Sequence, residues 1–106
     1  MTFSTEARVA TASAKKYAAQ VGKHWQHNME VTFDGDAVTI RFPRDARGAD
    51  WPADALVTLT PEADALICRI DASDPGQRDG LKGAVERHVD RFAFREGELA
   101  YDWKDA

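Results

Sequence analysis

The sequence predicts an α+β fold with a single antiparallel sheet that carries two amphipathic helices on one face. Three observations lead to this prediction. The hydrophobic period changes several times between that of a strand and that of a helix, short turns separate neighbouring strands, and each predicted helix has one apolar stripe to bury. The 106 residues, 43% of them hydrophobic, have the size and composition of a single domain over residues 1–106.

The first half of the chain contains a strand, a helix and a hairpin. Apolar residues alternate from Phe3 to Ala10, which is typical of a half-buried strand. From about residue 13 to residue 27 the apolar residues recur at helical spacing. Alternation then resumes on both sides of Asp34-Gly35, a pair that favours a tight hairpin turn.

The second half contains another hairpin, a helix and a last strand. The segment from Pro43 to Pro52 is predicted to be a loop, and Ala55–Thr60 and Ala65–Ala72 to be strands. Asp74-Pro75 resembles a helix start, with Gln77 at the capping-box position, so that the second helix spans about 75–96. Leu99, Tyr101 and Trp103 alternate as in a final strand. The order β-α-β-β-β-β-α-β resembles a TATA-binding-protein-like arrangement with one added strand.

Composition excludes some classes of function. The net charge of −4 disfavours binding to nucleic acid or to an anionic membrane surface. There is no apolar run of membrane-spanning length, no visible secretory signal, and Cys68 is the single cysteine, so we expect a cytoplasmic protein. Because phosphate loops, dinucleotide fingerprints, nucleophile elbows and C-x-x-C pairs are all absent, the sequence favours a protein that is not an enzyme.

Three histidines form the most specific candidate site. His24 and His27 are three residues apart near the end of the first helix, and His88 lies on the apolar stripe of the second. Three imidazoles suit zinc, iron or copper and leave a coordination position open. Two simpler explanations stay open: His27 interacts with the helix dipole, and His88 hydrogen-bonds within an ordinary core.

Basic and aromatic side chains suggest a second function for the same region. Arg87, Arg91 and Arg95 recur every four residues on the second helix, which suits an anionic ligand or partner but also a solvated face balanced by carboxylates. Trp25 is predicted either to border a pocket or to cover the core, and Trp51 lies in the Pro43–Pro52 loop, where a recognition role is conceivable.

Two segments of the chain resemble one bacterial family. Lys23-His24-Trp25-Gln26-His27, together with the run from His88 to Glu96 and Trp103, is similar to the family catalogued as domain of unknown function 2218, over nearly the whole chain. The resemblance implies an association with flavin-dependent siderophore-interacting reductases, and hence a role near iron acquisition. Many members carry Cys where this chain has Gly22. The family pattern marks His24, His27, His88, Arg91, Phe92, Arg95 and Glu96.

These observations lead to three hypotheses. The first is a small accessory binding protein of siderophore metabolism that holds zinc, iron or a ferric chelate through His24, His27 and His88, with Arg91, Arg95 and Trp25 holding an anionic ligand or partner. The second is a non-catalytic module that docks on a flavin-dependent siderophore-interacting reductase, with structural histidines. The third is a carrier for an apolar ligand held between helices and sheet. The distances between the imidazole rings and the size of any apolar cavity discriminate between the three.

Overall fold

The chain folds into one antiparallel sheet and two helices. The computed structural model describes residues 2–106. Its elements are β1 (Phe3–Ala10), α1 (Ala14–Trp25), β2 (Glu30–Asp34), β3 (Ala37–Phe42), β4 (Ala55–Pro61), β5 (Ala65–Ala72), α2 (Pro75–Phe92) and β6 (Lys104–Asp105). The six strands pair in the order β2-β3-β4-β5-β1-β6, and every neighbouring pair is antiparallel. The predicted α+β class and order of elements are confirmed.

Alternation along the strands turns one face of the sheet into the core and leaves the other face in solvent. Ala7, Cys68 and Leu59 lie side by side on β1, β5 and β4, and none is more than 1% exposed. On the opposite face, the exposed side chains of Glu6 and Arg69 form an ion pair at 3.8 Å. Because α1 and α2 both pack on the first face, a single core lies between a layer of helices and a layer of strands.

The start of α2 depends on the side chains of three residues. Asp74 is the N-cap, as the sequence predicts, and its Oδ1 accepts a hydrogen bond from the Gly76 amide at 2.8 Å. The predicted capping box is wrong in its details. Gln77 accepts from the amide and hydroxyl of Ser73, at 2.8 and 2.6 Å, rather than from the N-cap amide, and it donates to the Ala53 carbonyl at 3.0 Å. Gln77 therefore joins the helix start to the segment before β4.

The end of α2 differs from the prediction by four residues. The helix ends at Phe92 rather than residue 96, and a separate 3-10 turn, Phe94–Glu96, follows before Gly97 at φ 74°. Glu96 accepts hydrogen bonds from the hydroxyls of Thr11, at 2.9 Å, and Tyr17. The bond to the Glu96 carboxylate raises the pKa of Tyr17. These bonds join the turn to Thr11, before α1, and to Tyr17, in the first half of α1.

The predicted final strand through Leu99, Tyr101 and Trp103 is wrong, because β6 comprises only Lys104–Asp105. The side chains of Tyr101 and Trp103 bond to α2, and Leu99 packs against the core. The Tyr101 hydroxyl donates to Asp90 at 2.8 Å, and the Trp103 indole donates to Glu86 at 2.8 Å. Burial, followed by the bond to Asp90, raises the pKa of Tyr101.

The ionic contacts of Asp105 continue this pattern along the same helix. Its carboxylate pairs with Lys82 at 2.8 Å and with Arg78 at 3.4 Å. Two residues of extended chain cover roughly 6.6 Å and four residues of α-helix roughly 6 Å, so alternate residues of the tail meet every fourth residue of α2. The apolar alternation in this segment therefore arises because the extended tail packs along α2. Within residues 2–106, no helix has the length and apolarity that crossing a membrane requires.

Candidate functional site

The structure brings two of the three histidines together where the end of α1 meets the second half of α2. The ring centroids of His24 and His88 lie 5.2 Å apart. The Trp25 ring stacks at a tilt on His88, with 4.3 Å between centroids, and the Phe92 ring lies edge-on to His24 at 6.1 Å. Aromatic rings from both helices thus pack against the two histidines. Both roles that the sequence leaves open for Trp25 apply, since its side chain is buried and also borders a cavity.

One ring nitrogen of His88 is already committed to the helix backbone. Nδ1 lies 2.7 Å from the carbonyl oxygen of Ala84, one turn earlier in α2. A carbonyl oxygen only accepts hydrogen bonds, so Nδ1 carries the proton and Nε2 is the nitrogen available for another partner. Burial lowers the pKa of His88 and outweighs the bond to Ala84, which acts in the opposite direction. The neutral imidazole is therefore the favoured form at neutral pH.

The third histidine is not part of this cluster. His27 follows the end of α1 and is exposed. In residues 2–106, no three His, Cys, Asp or Glu side chains lie close enough together to hold a metal ion. Position 22 also faces elsewhere, because a Cβ on Gly22 would lie 2.8 Å from Val38 and 2.9 Å from Phe33, against the sheet. The three-histidine metal site stays a prediction, and only His24 and His88 are neighbours.

A cavity of about 170 Å³ opens beside His88, between the end of α1, one side of α2 from Gly76 to His88, and the Pro43–Pro52 loop. Its walls are mostly apolar and aromatic, with two arginines and one histidine. The lining residues are Trp25, Met29, Phe42, Pro43, Ala46, Arg47, Trp51, Gly76, Gln77, Gly80, Leu81, Ala84, Arg87 and His88. A second hollow shares Trp25, Arg47 and His88 and extends to His24 and Asp45.

Small residues on α2 create this space. Gly76, Gly80 and Ala84 are spaced four apart, so they lie on one side of the helix and all border the cavity. A Cβ added to Gly80 would meet no atom within 4 Å, whereas one added to Gly76 would lie 3.1 Å from the Trp51 ring. Gly80 is exposed, so it leaves the mouth of the cavity open to solvent, and Gly76 lets the indole of Trp51 approach the helix.

Two arginines border the cavity at its mouth, and both are exposed to solvent. Among residues 2–106, eight lysines and arginines form ion pairs with carboxylates. Arg47 and Arg87 form none, and among the basic residues without an ion pair they are the two that border the cavity. The Arg87 guanidinium lies over Gly83, since a Cβ there would be 2.9 Å from Nη1. Arg47 has φ 56°, an unfavourable conformation for a residue with a side chain. The loop is thus held in a strained shape at this site.

The other predicted ligand-binding arginines lie elsewhere. Arg91 is exposed on α2, and Arg95 lies in the turn after it, with its guanidinium 5.7 Å from the Phe94 ring centroid. Neither borders the two hollows. Sequence reasoning placed Trp25 and His88 in the site and identified Trp51 as a candidate for recognition. It missed Arg47, for which the only indication was its position in the same loop.

Known proteins resemble the whole chain. The sequence profile of a family of uncharacterized proteins conserved in bacteria, DUF2218, matches residues 6–104. An NMR structure of PA4090 from Pseudomonas aeruginosa is similar, with a TM-score of 0.74, 25% sequence identity, and coverage of 98% of this chain and 96% of that one. No curated protein matches the chain. These similarities support the fold over its full length.

Proposed function

Since the chain belongs to the bacterial DUF2218 family, whose members are described as uncharacterized, we propose a function from its site: it is a binding protein whose small-molecule ligand occupies the cavity beside His88. One observation carries the proposal. The cavity combines aromatic walls with two arginines that have no carboxylate partner among residues 2–106. Small-molecule sites are typically concave and mostly apolar, with a few polar groups that orient the ligand.

The energetic cost of this arrangement supports a binding role. Gly80 lowers the stability of α2 by roughly 1 kcal/mol relative to alanine, and Arg47 has a strained backbone. Alanine at position 80 would remove the cost that Gly80 imposes on the helix, since a Cβ there meets no neighbouring atom within 4 Å. An open cavity at the expense of stability is what a binding site requires. The proposal includes a cytoplasmic location, in keeping with the reduced, buried thiol of Cys68.

The test is a screen of small molecules against isotope-labelled protein by two-dimensional NMR. Compounds that bind are expected to shift the amides of Gly76 and Gly80 and the indole N–H of Trp51. The variant Gly80→Leu places a side chain in the cavity at a helix position where leucine is favourable, so it should fold and lose these shifts. Binding that persists in Gly80→Leu, or no binding by any compound, would show that the cavity is not the site.

A metal or ferric chelate is the second candidate ligand, and the closeness of His24 and His88 favours it. Two imidazoles leave most coordination positions of zinc or iron to other ligands, so the metal would arrive with its own chelator. Titration of tag-free protein with Zn²⁺ and with a ferric hydroxamate tests this idea. His88→Asn should weaken binding strongly. An equal loss in His27→Asn would support the site of three histidines. If the unaltered protein binds neither probe, both the site of two histidines and the site of three are refuted.

Docking on a flavin-dependent siderophore-interacting reductase remains the alternative function. The observation that favours it is Phe94, whose side chain is 71% exposed beside the guanidinium of Arg95, which forms no ion pair within residues 2–106. Co-sedimentation with a purified reductase of this class would detect the complex. Phe94→Ser should weaken the complex, and Phe33→Ser, which alters an exposed aromatic residue on β2, is the matched control. Equal effects of the two changes would contradict docking at this turn.

A further inference from the structure

We infer that the ligand of this cavity is a small aromatic carboxylate, an inference that rests on the proposed function. Three features of the site lead to it: the size of the cavity, the aromatic character of its walls, and a positive charge that has no acidic partner in the described chain. Each feature limits the ligand in a different way. Together they select a single planar ring that bears one negative group.

The volume of the cavity itself suits about one ring, and the second hollow, of about 280 Å³, shares six of its lining residues and leaves room for substituents on that ring. A cavity of roughly 150 Å³ in another protein accommodates benzene, and the cavity here measures about 170 Å³. A complete multidentate ferric chelate is much larger, so only one arm of such a chelate would enter. Trp25, Trp51 and Phe42 contribute ring surfaces to the lining. Flat aromatic surfaces favour a flat partner, because stacked or edge-on rings attract one another beyond the gain from burial.

The charges in the lining call for an anion. Arg47 approaches from the loop and Arg87 from α2, so positive charge comes from two elements of the structure. Two carboxylates lie close by. Asp45 borders the second hollow, and Asp74, beside the lining residue Gly76, already accepts a hydrogen bond from the Gly76 amide. A guanidinium binds a carboxylate through two parallel hydrogen bonds, which gives orientation as well as affinity.

The other polar side chains of the lining, Gln77 and His88, contribute less to holding the ligand than the arginines do. Gln77 is already satisfied, since its side chain bonds with Ser73 and with the Ala53 carbonyl. Nε2 of His88 is an acceptor when the ring is neutral, so it would favour a ligand that also carries a hydroxyl group. The arginines thus provide the groups that hold the carboxylate, and His88 adds selectivity among ring substituents.

Calorimetric titration with three matched probes tests this ligand class. Benzoate has both the ring and the charge, benzyl alcohol has the ring without the charge, and cyclohexanecarboxylate has the charge without the aromatic ring. We expect benzoate to bind about tenfold more tightly than either of the other two, a difference of about 1.4 kcal/mol. Arg87→Gln and Arg47→Gln should each remove most of the preference for benzoate over benzyl alcohol.

The controls separate the ligand class from the site. Lys16→Gln removes an equal charge from the exposed side of α1, outside the cavity lining, and should leave benzoate affinity unchanged. If benzyl alcohol binds as tightly as benzoate and Gly80→Leu abolishes both, the cavity is the site but the ligand is not an anion. If benzoate binding survives Gly80→Leu, the proposed function itself fails. If benzoate does not bind while neutral compounds occupy the cavity, the inference is likewise overturned.

Discussion

Gly80 offers a direct test of the idea that α2 gives up stability to keep the cavity open. Gly80→Ala should stabilise the protein by about 0.5–1 kcal/mol, because alanine loses less backbone entropy than glycine in a helix. The added methyl group meets no atom within 4 Å, so no clash reduces this gain. For a domain of this size, that change corresponds to a rise in melting temperature of roughly 2–8 °C.

The assay is urea denaturation followed by circular dichroism, with Gly97→Ala as the contrasting variant. Gly97 has φ 74°, so alanine there should be strained and should lower the stability by about 1 kcal/mol. The two substitutions add the same methyl group and should shift the midpoint in opposite directions. A neutral or destabilising effect of Gly80→Ala would refute the reasoning, because it would mean that position 80 is constrained by packing rather than left open.

Three further predictions concern other parts of the fold. Cys68 should resist thiol reagents in the folded protein and react fully in denaturant, since it is buried in the core and its pKa is raised to about 12; rapid labelling of the native protein would contradict this. The pKa of His88 is lowered on folding, so the unfolded chain binds the proton more readily. The neutral side chain imposes no protonation cost above the unfolded-state pKa of about 6.5. As the pH falls below that value towards the lower pKa of the folded state, the free energy of unfolding decreases. Urea midpoints at pH 7.5 and 5.5 should differ more in the wild type than in His88→Gln, and equal differences would refute this assignment. Thr11→Val removes the hydroxyl that donates to Glu96 and should destabilise the protein by about 1–2 kcal/mol, whereas Thr60→Val, on the exposed face of β4, should have little effect in the same assay.

The strands were predictable because alternation along each of them has one physical cause. In β1 and β5, alternate residues enter the core from the same face of the sheet, and the structure has these strands at the predicted bounds. The same rule failed for the segment Leu99–Trp103. Its alternation is equally regular, but the buried side is a helix, and periodicity does not identify what an extended segment packs against.

Apart from Trp51, a loop residue that its residue type singled out, the site was predictable only where its residues lie on regular elements. His24, Trp25 and His88 lie on helices, and an apolar stripe determines which side of a helix faces its neighbour. Arg47 lies in a loop whose path depends on a left-handed residue and on contacts far along the chain, so no local pattern indicated its direction. The exposed position of His27, two residues beyond the end of α1, depends on where that helix ends, and sequence patterns locate helix ends only approximately.

The most direct test of the central claim is an isotope-filtered NMR experiment that detects contacts between benzoate protons and protein protons. We expect contacts to the indole rings of Trp25 and Trp51 and to the α protons of Gly80, which border the same cavity. Contacts confined to Phe33 or Phe94, the two exposed aromatic side chains, would contradict it by placing the ligand on the surface.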